Sequence, residues 1–168
     1  MADRRTFLKV GAGGALALAL GGGIYRANRT APLPHGFALD GAARAALEAI
    51  VPVLLAGVAA PRAAAAVIAR VHHAILSLPL AAQVEVQDLF GLLALGPARR
   101  LLTGISGPWS GAAPAAVQAF LQDWRVSQFG MLRAAYGALH DLVLGAWYAD
   151  PVSWNAIGYP GPQLAWEP

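Results

Sequence analysis

The sequence predicts an all-α protein, a single bundle of about four to six helices followed by an irregular tail rich in aromatic residues, proline and glycine. Three observations carry this expectation. Between positions 40 and 148 the apolar residues recur three and four apart, the period of one helix face. No strictly alternating apolar/polar run long enough to build a sheet occurs anywhere in the chain. Proline and glycine punctuate the periodic stretches where helices should stop and restart.

The totals fit one domain with a short appendage. Of 168 residues, 57% are hydrophobic and 12% charged, ample to bury a core. The absence of cysteine removes disulfides, thiolate metal sites and cysteine nucleophiles. The pI near 9.8 is misleading, because charge is unevenly placed. Residues 1–29 hold Arg4, Arg5, Lys9, Arg26 and Arg29 against Asp3, a balance of +4. Residues 30–168 hold seven arginines against eight acidic residues, a balance of −1, and the two give the net +3. The body is therefore not basic, and a nucleic-acid footprint is not indicated.

Residues 1–29 form a leader. Arg4-Arg5-Thr6-Phe7-Leu8-Lys9 precedes an uncharged, glycine-rich run from Val10 to Tyr25. A basic start before a modest apolar segment is a secretory pattern. The paired arginines followed by Phe7, Leu8 and Lys9 resemble the twin-arginine (Tat) export signal, with Asp3 where serine or threonine is usual. The other reading is a basic N-terminus before a membrane anchor. The run is shorter than the roughly 20 residues a spanning helix needs. Retention as a weak anchor by residues 10–25 and cleavage near Ala27 to Ala31 both remain open, and either places the protein in the periplasm.

Residues 30–38 read as a linker, and 39–150 as the bundle. Asp40 is placed to cap a first helix with Leu47, Ile50, Val51, Leu54, Leu55 and Val58 inward, kinked by Pro52. A second helix is expected from Pro61 to Ser77, with Val67, Ile68, Val71, Ile75 and Leu78 inward. Ser77 then caps a third helix with the stripe Val86, Leu89, Phe90 and Leu93, ended by Gly96-Pro97. Arg99 to Leu102 fits a further short turn. Thr103 to Pro114 reads as a loop around Trp109. Pro114 opens a helix with Val117, Phe120, Leu121 and Trp124 on one face. A last helix covers Phe129 to Tyr148, with a break expected near Ser127 to Gly130.

Residues 151–168 complete the chain. From Trp147 to Pro162, three prolines, two glycines and four aromatics fall within sixteen residues. Such a stiff segment serves as a clasp over its own core, as a surface for a partner, or as both. Asp150 is suited to capping the turn after the last helix.

No catalytic constellation emerges. His72 and His73 are adjacent and diverge by about 100° on a helix, so they cannot chelate together as an i, i+4 pair would. His140 lies beside Asp141, and His35 falls in the linker. Ser106 and Ser110 lack the strand-turn-helix setting of a nucleophile elbow. The glycines of the leader follow no strand, so they do not form a dinucleotide loop.

The leader, the segment Leu47-Glu48-Ala49-Ile50-Val51-Pro52, and the close Tyr148-Ala149-Asp150-Pro151 with Trp154-Asn155-Ala156-Ile157-Gly158-Tyr159-Pro160-Gly161-Pro162 resemble the small subunits related to gluconate 2-dehydrogenase subunit 3. The resemblance covers the leader, about Ala113 to Pro162, and more loosely the first helix. Trp147-Tyr148 stands where the family has Tyr-Tyr. It implies a non-catalytic, Tat-exported companion of an FAD-containing oxidoreductase of the glucose-methanol-choline type. This chain would carry no catalytic residue, metal or cofactor. FAD would sit in the large partner, the Tat translocase would export the pair, and a cytochrome or quinone would take the electrons. Trp147, Tyr148, Asp150, Trp154, Ile157 and Tyr159 would hold the partner. Two other readings stand beside it. One is a stand-alone periplasmic helical protein binding a hydrophobic ligand, suggested by the mean hydropathy of +0.51. The other is a metal enzyme using His72, His73 or His140.

Overall fold

The computed structural model describes residues 36–58, 63–154 and 157–161. Among them the protein is all helical, as the periodicity requires. The helices are α1 (Gly41–Leu54), α2 (Ala64–Leu76), α3 (Leu80–Ala94), α4 (Gly96–Thr103), α5 (Pro114–Arg125), α6 (Gly130–Tyr148) and the single turn α7 (Pro151–Trp154). A 3-10 turn, Trp109–Gly111, interrupts the long connection before α5. The tail is thus less irregular than expected at its start, since Pro151 suits the first position of a helix. The leader lies outside the described residues. No helix among those described is long and apolar enough to cross a membrane.

Helix α1 is the centre of the bundle. The Asp40 carboxylate accepts the Ala43 amide at 2.8 Å, the expected cap. Ala43, Ala46, Leu47, Ile50 and Val51 are fully buried, and the two alanines let neighbours approach closely. The helix packs against α2, α3, α5, α6 and the 3-10 turn. It stops at Leu54 instead of continuing to Val58: Gly57 takes a positive φ of 84°, which turns the chain away and leaves Val58 exposed.

Two expectations about α2 and α3 are corrected. Ser77 closes α2 and does not open α3; its hydroxyl donates to the Ala74 carbonyl at 2.7 Å. Pro79 forces the residue before it out of helical geometry, and helix resumes only at Leu80. The buried face of α3 also differs from an all-apolar stripe. Gln83 and Gln87 lie inside with Phe90 and Leu93, while Val86 and Leu89 are half-buried. Both glutamines are hydrogen-bonded, which offsets the cost of burial, although Gln83 Oε1 itself has no partner. Gln83 Nε2 donates to the carbonyls of Leu76 (3.0 Å) and Leu78 (2.8 Å), tying the end of α2 to α3. Gln87 Oε1 accepts the Ala38 amide at 2.6 Å, tying down the strand of chain that enters α1. Phe37 then packs on Phe90 and His72.

The far side of the core is aromatic. Trp109, Phe120 and Trp124 form a row of edge-to-face contacts at 5.9 and 5.4 Å between centroids. Each indole finds a carbonyl: Trp109 Nε1 donates to Leu93 at 3.0 Å, and Trp124 Nε1 to Leu102 at 2.8 Å. Arg99, nearly buried, adds its own hydrogen bonds to Leu93 and Ala94, closing the C-terminal end of α3. Helix α5 buries Val117, Phe120, Leu121 and Trp124, the face its spacing predicts. The break before α6 falls at Val126–Phe129, also as expected. Leu139, Val143 and Trp147 complete the core from α6, with Leu132 and Tyr136 at its margin.

Candidate functional site

The end of α6 and the residues after it form a folded clasp. Arg70, on α2, reaches across to this end with both sides of its guanidinium. Its Nε donates to the Ala146 carbonyl at 2.9 Å, and Nη1 pairs with Asp150 Oδ2 at 2.8 Å. A cation at a helix C-terminus meets both unsatisfied carbonyls and the negative end of the dipole. Asp150 uses its other oxygen to accept the Val152 amide at 3.0 Å, capping α7. Ser153, fully buried, donates from its hydroxyl to the Asp150 carbonyl at 2.7 Å. Asp150 therefore does cap the turn after α6, and in addition it is half of an inter-helix ion pair.

The aromatic residues then fold back. Trp154 Nε1 donates to the Tyr148 carbonyl at 2.8 Å, laying the indole over the end of α6. The Tyr159 amide donates to the Trp154 carbonyl at 3.0 Å, and its ring meets the indole edge-on at 5.3 Å. Gly161, at φ 90°, passes so close that a β-carbon there would stand 3.1 Å from the Trp154 ring. Glycine is required at that crossing for both reasons.

The six residues expected to hold a partner are thus brought to one end of the bundle, but they play different parts. Trp147 is 7% exposed and belongs to the core, packed from within α6, so its ring cannot form the surface. Tyr148, Asp150 and Trp154 are half-buried supports. Ile157 (56% exposed) and Tyr159 (46%) face outward, joined by Val152 (72%), which the sequence reading did not single out. Arg70 was missed as well. It lies 76 residues from Ala146, a separation no local pattern reveals, although the one arginine of the otherwise largely apolar α2 was a signal.

A concavity of about 580 Å³, open to solvent, lies between α1 and the 3-10 turn with α5. Ala45, Ala49, Val53 and Trp109 give it apolar walls, and Glu48 and Gln118 contribute polar groups. The volume falls in the range that holds small organic ligands.

The histidines do not converge. His72 stacks at a tilt on Phe37 and lies 5.9 Å from His73 between ring centroids. His140 hydrogen-bonds Asp141 at 3.1 Å at the surface, beside Tyr136. Among the described residues no three histidine, aspartate or glutamate side chains gather as a metal site would require. His35 lies outside the described residues, as do Arg4, Arg5, Phe7, Leu8 and Lys9 of the leader. In comparison with known proteins, no family model matches the chain, and no curated protein or solved structure matches it either.

Proposed function

We propose that this chain is a non-catalytic accessory and export subunit, which binds a folded FAD-dependent dehydrogenase and carries it through the Tat pathway to the periplasm. One observation carries the reading. The clasp fixes its backbone through Arg70, Asp150 and Trp154, yet leaves Val152, Ile157 and Tyr159 outward. A pre-ordered apolar and aromatic surface loses little entropy on binding, which is what a stable subunit contact favours. The twin-arginine pattern of Arg4 and Arg5 supplies the route, and such a route suits cargo that folds around its cofactor before export. FAD would belong to the partner, and electrons would leave it for a cytochrome or quinone.

Affinity purification of the tagged chain from its own host tests this. A yellow eluate with a flavin absorption band and one large companion is expected. The triple variant Val152→Ser, Ile157→Ser, Tyr159→Ala should lose the companion at least ten-fold, given roughly 1 kcal/mol or more per anchoring side chain. Its helical circular dichroism should be unchanged. A colourless eluate holding this chain alone would overturn the proposal. The concavity beside α1 would then favour the second reading, a periplasmic helical protein with a hydrophobic ligand. Native mass spectrometry would show that ligand as added mass, removed by filling the groove with Ala49→Trp.

A further inference from the structure

The connection between α5 and α6, Val126–Phe129, places large apolar side chains in water where a polar turn would serve. Val126 is 66% exposed, Phe129 36% and Met131 55%. The turn is internally braced: Ser127 Oγ accepts the Phe129 amide at 3.1 Å, and Arg133 donates to the Ser127 carbonyl. Its apolar residues are thus presented on a shaped tip. Their surroundings are net positive, two exposed arginines against the one exposed carboxylate of Asp123. Arg125 and Arg133 flank the tip and are exposed, and no acidic residue occurs from Trp124 to His140. The nearest carboxylates along the chain are Asp123, on α5, and Asp141, far along α6.

We infer that this end of the bundle docks on an anionic phospholipid surface, with Val126, Phe129 and Met131 at the headgroup–acyl boundary and Arg125 and Arg133 on the phosphates. Apolar side chains gain by entering that boundary, while neighbouring arginines keep their guanidinium groups at the level of the phosphates. The choice of lipid over a protein groove rests on charge. An apolar tip flanked by Arg125 and Arg133, with a net positive charge after Asp123 is counted, complements a surface of negative charge. The tip opens α6 and the clasp closes it, about 28 Å apart for a helix of 19 residues. Membrane and clasp would therefore occupy opposite ends, and the inference does not depend on what the clasp binds.

The chain has no cysteine, so one introduced thiol can be labelled alone in the full-length protein. An environment-sensitive dye at Gln128→Cys reports the tip, and one at Ala116→Cys, near the other end of α5, reports the control. With phosphatidylcholine vesicles containing phosphatidylglycerol, the dye at 128 should shift to the blue and be quenched by brominated acyl chains. The dye at 116 should not respond, even where the leader tethers the chain. Arg125→Gln with Arg133→Gln should raise the lipid needed for half the shift by roughly 10- to 30-fold, and Phe129→Ser with Met131→Ser should abolish it. A second label at Ala134→Cys, one turn into α6, guards against disturbance of the tip by the first. Equal responses at the tip and at 116, or none at either tip position on anionic vesicles, would overturn the inference. So would a tip label shielded by a co-purified protein and indifferent to lipid.

Discussion

Arg70 illustrates how one side chain can organise a surface it does not form. Both of its interactions converge on the close of α6, and Asp150, its partner, in turn caps α7. Arg70→Met keeps the aliphatic stem but removes the fork. The two groups are 32% and 23% exposed, so the ion pair is screened, and the loss should be modest, about 1 kcal/mol with the hydrogen bond to Ala146 included. A urea unfolding curve measures it directly. Arg70→Lys should recover only part, because an ammonium cannot meet the Ala146 carbonyl and the carboxylate with separate coplanar donors. Gly36 makes a sharper demand. A β-carbon there would lie 2.9 Å from the Gln83 β-carbon and 3.0 Å from the Leu80 carbonyl oxygen. Backbone cannot swing aside as a flexible side chain does, so Gly36→Ala should destabilise by roughly 1–3 kcal/mol, read as a lower melting temperature.

At the scale of elements, legibility followed the strength of the apolar stripe. Helices α1, α5 and α6 each carry a run of Leu, Ile, Val or Trp at helical spacing, and their inward faces were readable. Helix α3 was readable only in part: Phe90 and Leu93 are core as expected, but glutamine at 83 and 87 looks like surface until the carbonyls and the amide it serves are in place. Ser77 failed for a different reason: Ser-x-Pro is compatible with the end of one helix and the start of the next. Pro52 presents the remaining conflict. It sits inside α1, its nitrogen has no hydrogen, and the Glu48 carbonyl loses its usual donor. Glu48 and Pro52 both line the concavity beside α1. Pro52→Ala should raise the urea midpoint, with a gain of about 1–2 kcal/mol after the greater freedom of the unfolded chain is subtracted. A fall instead would mean that the surroundings of α1 are packed to the proline ring.

For the whole molecule, the clasp was legible as a place and not as an arrangement. Prolines, glycines and aromatics marked Trp147 to Pro162, but which rings turn inward depends on Arg70 and on the end of α6, both set by tertiary packing. The leader offers the test that reaches furthest, because two readings of it differ in chemistry. A general basic start works through charge, whereas a twin-arginine signal requires the guanidinium groups themselves. Arg4→Lys with Arg5→Lys preserves the net charge of +3 and every residue of the described bundle. Stability of the folded body should therefore be unchanged, which thermal unfolding of the purified variant checks. The periplasmic fraction should nonetheless fall at least ten-fold, since lysine lacks the planar set of donors that such recognition uses. Fractionation followed by flavin fluorescence extends the result to the cargo. If this chain carries the export signal for its partner, the flavin must be retained in the cytoplasm with it. Normal export of the twin-lysine variant would leave only a charge-based leader, and a flavoprotein that still reached the periplasm without this chain would deny it the role of escort.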